Sequence, residues 1–262
     1  MRHYARPCAD GEVFLGEKKI QAVLFDLGET LLNFGKVDAI ALFREGGKLA
    51  HDFLRKHNQP AGALNFFLLR HLLIIRFFHI LSNLTGRDFD SFELLKKAEQ
   101  RKGIKLSPEQ WQEFAWCWYE PLSRFAEIEP DLPETLEKLK SAGIKLGILS
   151  NTFVNAVTLD RHLEQFGLLK FFPVRIYSYQ FKFRKPDRRI FVQAAEAMGC
   201  RPENTLFIGD KVELDMNGAR KANMFAVLKK AYTNSKKKNS QNLMMVEKVS
   251  ELPGIVEEIN RQ

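Results

Sequence analysis

Cysteine is scarce in this sequence. Cys8, Cys117 and Cys200 are the only three in 262 residues, they lie far apart, and their number is odd. That excludes a disulfide framework. With no Cys-x-x-Cys or Cys/His cluster there is also no zinc pattern, and the expectation is free thiols in a reducing cytoplasm. The opening residues, MRHYARPCADGEVFLGEKK, hold no apolar segment of the kind a secretory signal needs. The most apolar stretch, residues 63–81 (ALNFFLLRHLLIIRFFHIL), is interrupted by Arg70, His71, Arg76 and His79. Charge at bilayer depth is costly, so no membrane span is expected. The stretch reads instead as a buried helix or as one that packs on a second copy in a homo-oligomer. There is no internal repeat. Acidic residues are in deficit, with 32 Asp and Glu against 40 Lys and Arg and a net charge of +8. Part of the excess is local: Lys229, Lys230, Lys236, Lys237 and Lys238 stand in KKAYTNSKKKNS. That run lacks interleaved aromatics, so it reads as a solvated loop rather than a nucleic-acid surface.

What is present is ample apolar material, 45% of the chain, with 27% charged residues. This is the composition of a soluble globular protein, long enough for one large domain or for a core carrying a smaller insert. KIQAVLFDL reads as a buried strand ending at Asp26. From Phe34 to about Ile128 the periodicity is helical. Ser107-Pro108-Glu109-Gln110 is a capping-box start, followed by Trp111, Phe114, Ala115, Trp118, Leu122 and Phe125 at helical spacing. Pro121 is expected to bend or end that helix. After Pro130 strands alternate with helices: IKLGILS, VRIYS, TLFIGD and FAVL are the strands. Helices are expected over 155–166, 187–198, 214–223 and 250–259. Such alternation predicts a parallel sheet with right-handed crossovers. The expected layout is an extension at 1–18, an α/β core formed by 19–33 and 129–262, and an all-helical cap at 34–128.

In an open parallel sheet the ligand site lies beyond the carboxyl ends of the strands. The polar residues there are Asp26, Ser150 with Asn151, and Asp210. Lys185 precedes Pro186 and a helix, and Asp215 lies five residues past Asp210. Each alone is an ordinary turn or cap residue. Together, two strand-end carboxylates, a hydroxyl and a lysine would converge on one place.

In this order the motifs resemble those of the haloacid dehalogenase superfamily, in the subgroup with a helical cap after the first motif. FDLGETLL resembles motif I, GILSNT motif II, FRKPDRRIF motif III, and IGDKVELDMNGARKANM motif IV; the likeness runs from about Lys19 to Leu228. The resemblance implies a Rossmann-like parallel sheet and a hydrolase, most simply a magnesium-dependent phosphatase of small phosphorylated metabolites. Asp26 would be the nucleophile. Asp26, Asp210 and the backbone carbonyl of Gly28 would hold the metal. Ser150, Asn151 and Lys185 would bind phosphate, and Asp215 would orient Lys185 or a metal-bound water.

One position departs from the pattern. Most phosphatases of the superfamily carry Asp where this chain has Gly28, and that Asp protonates the leaving oxygen. Glu29 begins the next turn and is expected to point elsewhere; His51, His57, His71 and His79 of the cap are the other candidate acids. Three readings stay open here: a phosphatase, a dehalogenase whose halide needs no proton, and a non-catalytic binding or regulatory module. The Gly209-Asp210 pair favours the metal-dependent reaction over dehalogenation.

Overall fold

A computed structural model describes residues 19–235 and 243–262. Six parallel strands form one sheet in the order β3-β2-β1-β4-β5-β6. They are β1 Ala22–Phe25, β2 Lys145–Ser150, β3 Val174–Tyr177, β4 Thr205–Gly209, β5 Phe225–Lys229 and β6 Met244–Val246. β1 is central, with Phe25 in register with Ile148 of β2 on one side and Ile208 of β4 on the other. Its four residues are apolar and fully buried, as a parallel strand covered on both faces requires. α5 Leu132–Ser141, α6 Ala156–Gln165 and α9 Leu252–Arg261 cover one face, where Val23, Phe25 and Ile148 join Leu136, Leu163 and Val256. α7 Arg188–Ala197 and α8 Asn217–Lys221 cover the other, against Ala22, Leu24 and Phe207. The fold is the α/β, Rossmann-like arrangement with a helical cap that the sequence pattern predicts.

The cap consists of α1 Ala39–Lys56, α2 Leu64–Thr85, α3 Ser91–Gln100 and α4 Pro108–Ser123, all between β1 and β2. α4 opens with the expected reciprocal cap: Ser107 Oγ accepts from Gln110 N (3.2 Å), and Gln110 Oε1 accepts from Ser107 N (2.9 Å). Pro121 sits inside α4 and the helix ends two residues beyond it. α1 and α4 approach closely because Gly46 and Gly47 face Trp118. A Cβ on Gly46 would lie 2.6 Å from the Trp118 carbonyl oxygen.

Several expectations are corrected. α2 is not buried within the chain: Phe67, His71 and Ser82 are its only buried residues. It is long and apolar enough to cross a membrane by length and composition alone. Its polar face, however, is tied into the cap. Arg70 pairs with Glu99, and His71 Nε2 lies 2.9 Å from Glu99 Oε1. The helix expected at 214–223 starts only at Asn217. It is preceded by a wide turn, Val212–Met216, in which Met216 N donates to Lys211 O (3.3 Å). β6 was not expected, since three residues carry too short a pattern to recognise. The basic stretch is not simply solvated. Lys229 is buried and paired with Glu129 (2.8 Å), and Asn234 is buried as well. Cys8 and Lys236, Lys237 and Lys238 lie outside the described residues. Cys117 and Cys200 are free thiols, and burial pushes the Cys117 thiol up to about 11, which leaves it unreactive.

Candidate active site

The turn beyond β1 places Asp26. Its backbone N–H continues the ladder to Ile208 O (2.9 Å), and its Oδ1 accepts from Leu27 N (2.8 Å). β1 is the strand at which the chain order changes direction, with β2 on one side and β4 on the other. That is where open sheets leave a crevice for ligand. Asp210 emerges from β4 and Ser150 ends β2, so all three flank that crevice. All are buried, Asp210 completely.

Lys185 binds the site together. Its Nζ lies 2.6 Å from Asp215 Oδ1 and 3.0 Å from Asp26 Oδ1, and it is 2% exposed. Burial alone would pull its pKa down, but the Asp215 and Asp26 carboxylates outweigh burial and hold it above the usual lysine value. The backbone that carries it is clamped by Asn151. Asn151 Oδ1 accepts from Lys185 N and Asn151 Nδ2 donates to Lys185 O, both at 2.9 Å. Asn151 therefore secures the loop that delivers the lysine, a role that spacing alone does not disclose.

Asp215 is fixed by the wide turn: its Oδ2 accepts from Lys211 N (2.9 Å). It can come so near β4 only because residue 209 is glycine, since a Cβ there would lie 2.6 Å from the Asp215 carboxylate. Burial, with Asp26 nearby, pushes Asp215 up to about 6 against the opposing pull of Lys185. Asp210 is also raised, by burial and then by Asp26.

Asp26, Asp210 and Asp215 offer carboxylate oxygens within 4.8 Å of one another. Three acids share one lysine. Asp210 Oδ2 accepts from Thr233 Oγ1 (2.5 Å), whereas Asp210 Oδ1 is buried with no hydrogen-bond partner. A buried carboxylate oxygen without a donor is costly, and a hard cation would satisfy it. The residues therefore fit a divalent metal with oxygen ligands. Thr233 and Asn234, whose Nδ2 donates to Asp210 O (2.8 Å), were missed in the sequence because they lie inside the lysine-rich stretch.

Gly28 lies in the tight turn after Asp26. A Cβ there would meet nothing closer than Phe34 Cε2 at 4.0 Å, so the place of the missing acid is open space. Glu29 does not fill it. Its backbone is left-handed (φ 59°) and its Oε1 accepts from Phe34 N (2.9 Å) and Gly35 N (3.2 Å). The cap histidines are engaged inside the cap: His51 with Gly62 O, His57 with Phe53 O, His71 with Phe67 O and Glu99, and His79 with Asn83. Ser150 makes no side-chain hydrogen bond among the described residues, which leaves its hydroxyl free for a ligand.

The cap is fastened beside this site. Asp88, between α2 and α3, accepts from Ser178 Oγ (2.5 Å), Arg184 Nη1 (2.7 Å) and Ser82 Oγ (2.8 Å). Arg184 adjoins Lys185, and Ser178 Oγ accepts from Thr152 N (2.9 Å) just past Ser150. On the opposite flank Tyr119 of α4 meets His162 of α6 (3.0 Å), and Arg161 pairs with Glu113 (2.8 Å).

A carboxylate beyond β1, a lysine bridging it to a second acid, a free hydroxyl and a further strand-end acid form the cluster that the motifs resemble. The sequence model of the haloacid dehalogenase-like hydrolases matches residues 20–223. The chain belongs to that family. It is 33% identical over 134 residues to a glyceraldehyde 3-phosphate phosphatase of Methanothermobacter thermautotrophicus, a match covering 48% of this chain and 58% of that one. It is 34% identical over 123 residues to an (S)-2-haloacid dehalogenase of Burkholderia cepacia, covering 47% of each. The chain spans about half the length of the curated relatives it matches. A solved phosphatase of the superfamily from Thermococcus onnurineus is 25% identical, with a TM-score of 0.55 over 90% of this chain and 98% of that one.

Proposed function

We propose that this chain is a magnesium-dependent phosphatase that hydrolyses small phosphate monoesters through an aspartyl-phosphate on Asp26. The observation that carries the reading is the buried, unpartnered Oδ1 of Asp210 beside Asp26. A halide-releasing site has no use for a second metal-binding carboxylate. A non-catalytic scaffold has no use for Lys185 held between Asp26 and Asp215.

Asp26, Asp210 and the Gly28 carbonyl would hold the metal, which when bound supplies positive charge against the phosphate oxygens. Lys185, 3.0 Å from Asp26 Oδ1, keeps that carboxylate aimed and adds its own charge to the equatorial oxygens of the phosphoryl group. Ser150 donates its free hydroxyl to the same group, and Asn151 keeps the lysine loop in register. Asp26 attacks phosphorus, and the bond from phosphorus to the ester oxygen breaks with its electron pair on that oxygen. Water then attacks phosphorus of the acyl phosphate, releasing inorganic phosphate and restoring Asp26. Splitting the displacement in two lowers each barrier. Asp215, deep behind the lysine, sets its position.

The protein would work in a reducing cytoplasm, in keeping with its free thiols, and would pair with a second copy through α2. Phe66, Leu69, Leu73, Phe77, Ile80 and Leu84 form one exposed stripe at helical spacing, flanked by Leu72 and Leu81. At ~200 Å² per large side chain these eight expose on the order of 900 Å², about what one partner contributes to a standard interface.

The test is turnover of a panel of phosphate monoesters with magnesium. Activity is expected for the native chain and a loss of at least about 10³-fold for Asp26→Asn. Turnover that survives Asp26→Asn would remove the nucleophile, and metal-independent halide release from 2-haloacids would establish the dehalogenase instead.

A further inference from the structure

Between the cap and the segment that follows β2 lies an open cavity of about 700 Å³ that the reaction above does not use. Its lining is apolar: aliphatic side chains predominate, and Phe43, Phe92, Phe114, Trp118, Tyr119 and Phe153 add aromatic rings. The volume lies in the range of small-molecule sites. A three-carbon body like that of the phosphatase relatives would leave most of it empty. The cavity adjoins the chain that leaves β2. Phe153, Val154 and Asn155 of its lining directly follow Ser150, Asn151 and Thr152. A substrate whose phosphoryl group sits at Asp26 would find this apolar space beside it. Arg44 and Arg76 also line it, and among the described residues neither has an ion-pair partner, so an anionic ester is drawn towards it.

A second observation bears on the same leaving group. No side chain stands at residue 28, Glu29 is turned away, and the cap histidines are engaged elsewhere. General acid help is worth roughly 10²–10⁴-fold when the departing oxygen is basic and little when it is a stable anion. A cavity that takes an aromatic body and a site without a proton donor suit one chemistry.

Resting on the phosphatase reading, we propose that the substrate class is the aryl phosphates: monoesters whose leaving group is an apolar phenol held among the cap aromatics. Asp26 displaces the phenolate, which departs with the electron pair of the broken P–O bond and takes its proton from solvent. Water then cleaves the aspartyl-phosphate.

The experiment uses three probes with magnesium: 1-naphthyl phosphate, glyceraldehyde 3-phosphate and acetyl phosphate, the last having an acidic leaving group but no apolar body. The expected kcat/KM for 1-naphthyl phosphate exceeds that for glyceraldehyde 3-phosphate by about 100-fold, given the apolar area buried. Ala115→Trp fills the cavity from α4. Ile40→Glu places a charge at its rim from an exposed position of α1, outside the α2 stripe. Each should lower 1-naphthyl phosphate turnover by about 10-fold or more and leave acetyl phosphate within about 2-fold. Calorimetric titration with 1-naphthol, which needs neither metal nor chemistry, should show binding that both variants lose. Across substituted phenyl phosphates the rate should fall steeply with leaving-group pKa, and Gly28→Asp should flatten that dependence. Acetyl phosphate turnover with no preference for the naphthyl ester, or a preference that both variants keep, overturns the aryl assignment alone. No turnover of any probe overturns the phosphatase reading, and absence of 1-naphthol binding then overturns the cavity assignment as well.

Discussion

Lys185 sets the electrostatic balance of the site. Two carboxylates contact it directly and Asp210 stands within reach of both, all of them buried. Removing one partner of a buried ion pair leaves charge without compensation and costs about 3–5 kcal/mol. Lys185→Met is therefore expected to lower stability by that order at neutral pH, read as a reduced urea midpoint, and to abolish turnover. Gly209 matters through space rather than charge. Gly209→Ala forces a Cβ against the Asp215 carboxylate and should cost about 1–3 kcal/mol. Its activity should fall with the displaced lysine. Gly28 is the opposite case, since a side chain there meets open space. Gly28→Asp should fold with an unchanged melting temperature, checked by calorimetry.

Among the elements, the cap is fastened beside the site. Asp88 gathers Ser82, Arg184 and Ser178 into one junction between the cap and the loops that carry Ser150 and Lys185. Asp88→Ala leaves Arg184 and Ser178 short of an acceptor. It should cost about 1–3 kcal/mol and raise KM more than it lowers kcat, because the cap loosens while the strand ends stay put. Steady-state kinetics with thermal unfolding separates the two effects. The exposed stripe on α2 carries its own prediction: light scattering should show a dimer, and Leu73→Glu should give a monomer. The sequence showed α2 as a helix, but periodicity could not place its apolar residues outside, since a stripe facing solvent and one facing a core look alike. The reverse error occurred at Lys229, Thr233 and Asn234. Their polar composition signals a loop, yet the partners that bury them, Glu129 and Asp210, are distant in sequence.

At the scale of the molecule, the parallel sheet and the strand-end residues were legible because β1, β2 and β4 are short apolar runs ending at or just before the residues that matter, whereas the order of the strands was not. Asp26, Ser150, Asp210, Lys185 and Asp215 meet because β1 lies between β2 and β4. The clamp of Asn151 on Lys185, the cap junction at Asp88 and the apolar cavity were not legible, since each joins segments far apart in the chain. Joining cap to core also gives the molecule a pH dependence. His162, fully buried against Tyr119, has its pKa pushed down to about 4, chiefly by burial. In the unfolded chain it titrates near 6.5. The unfolded state therefore takes up a proton first, and stability is full above about 6.5 and falls towards pH 4, by up to ~3 kcal/mol. Urea titrations across that window should show this slope, and His162→Gln should remove it. The central claim, that Asp26 carries the phosphoryl group, is tested most directly by acid quench of the enzyme turning over acetyl [³²P]phosphate with magnesium, followed by peptide mapping. The account predicts label on the peptide containing Asp26 and none in Asp26→Asn. Turnover without protein-bound label, or label on another peptide, would contradict it.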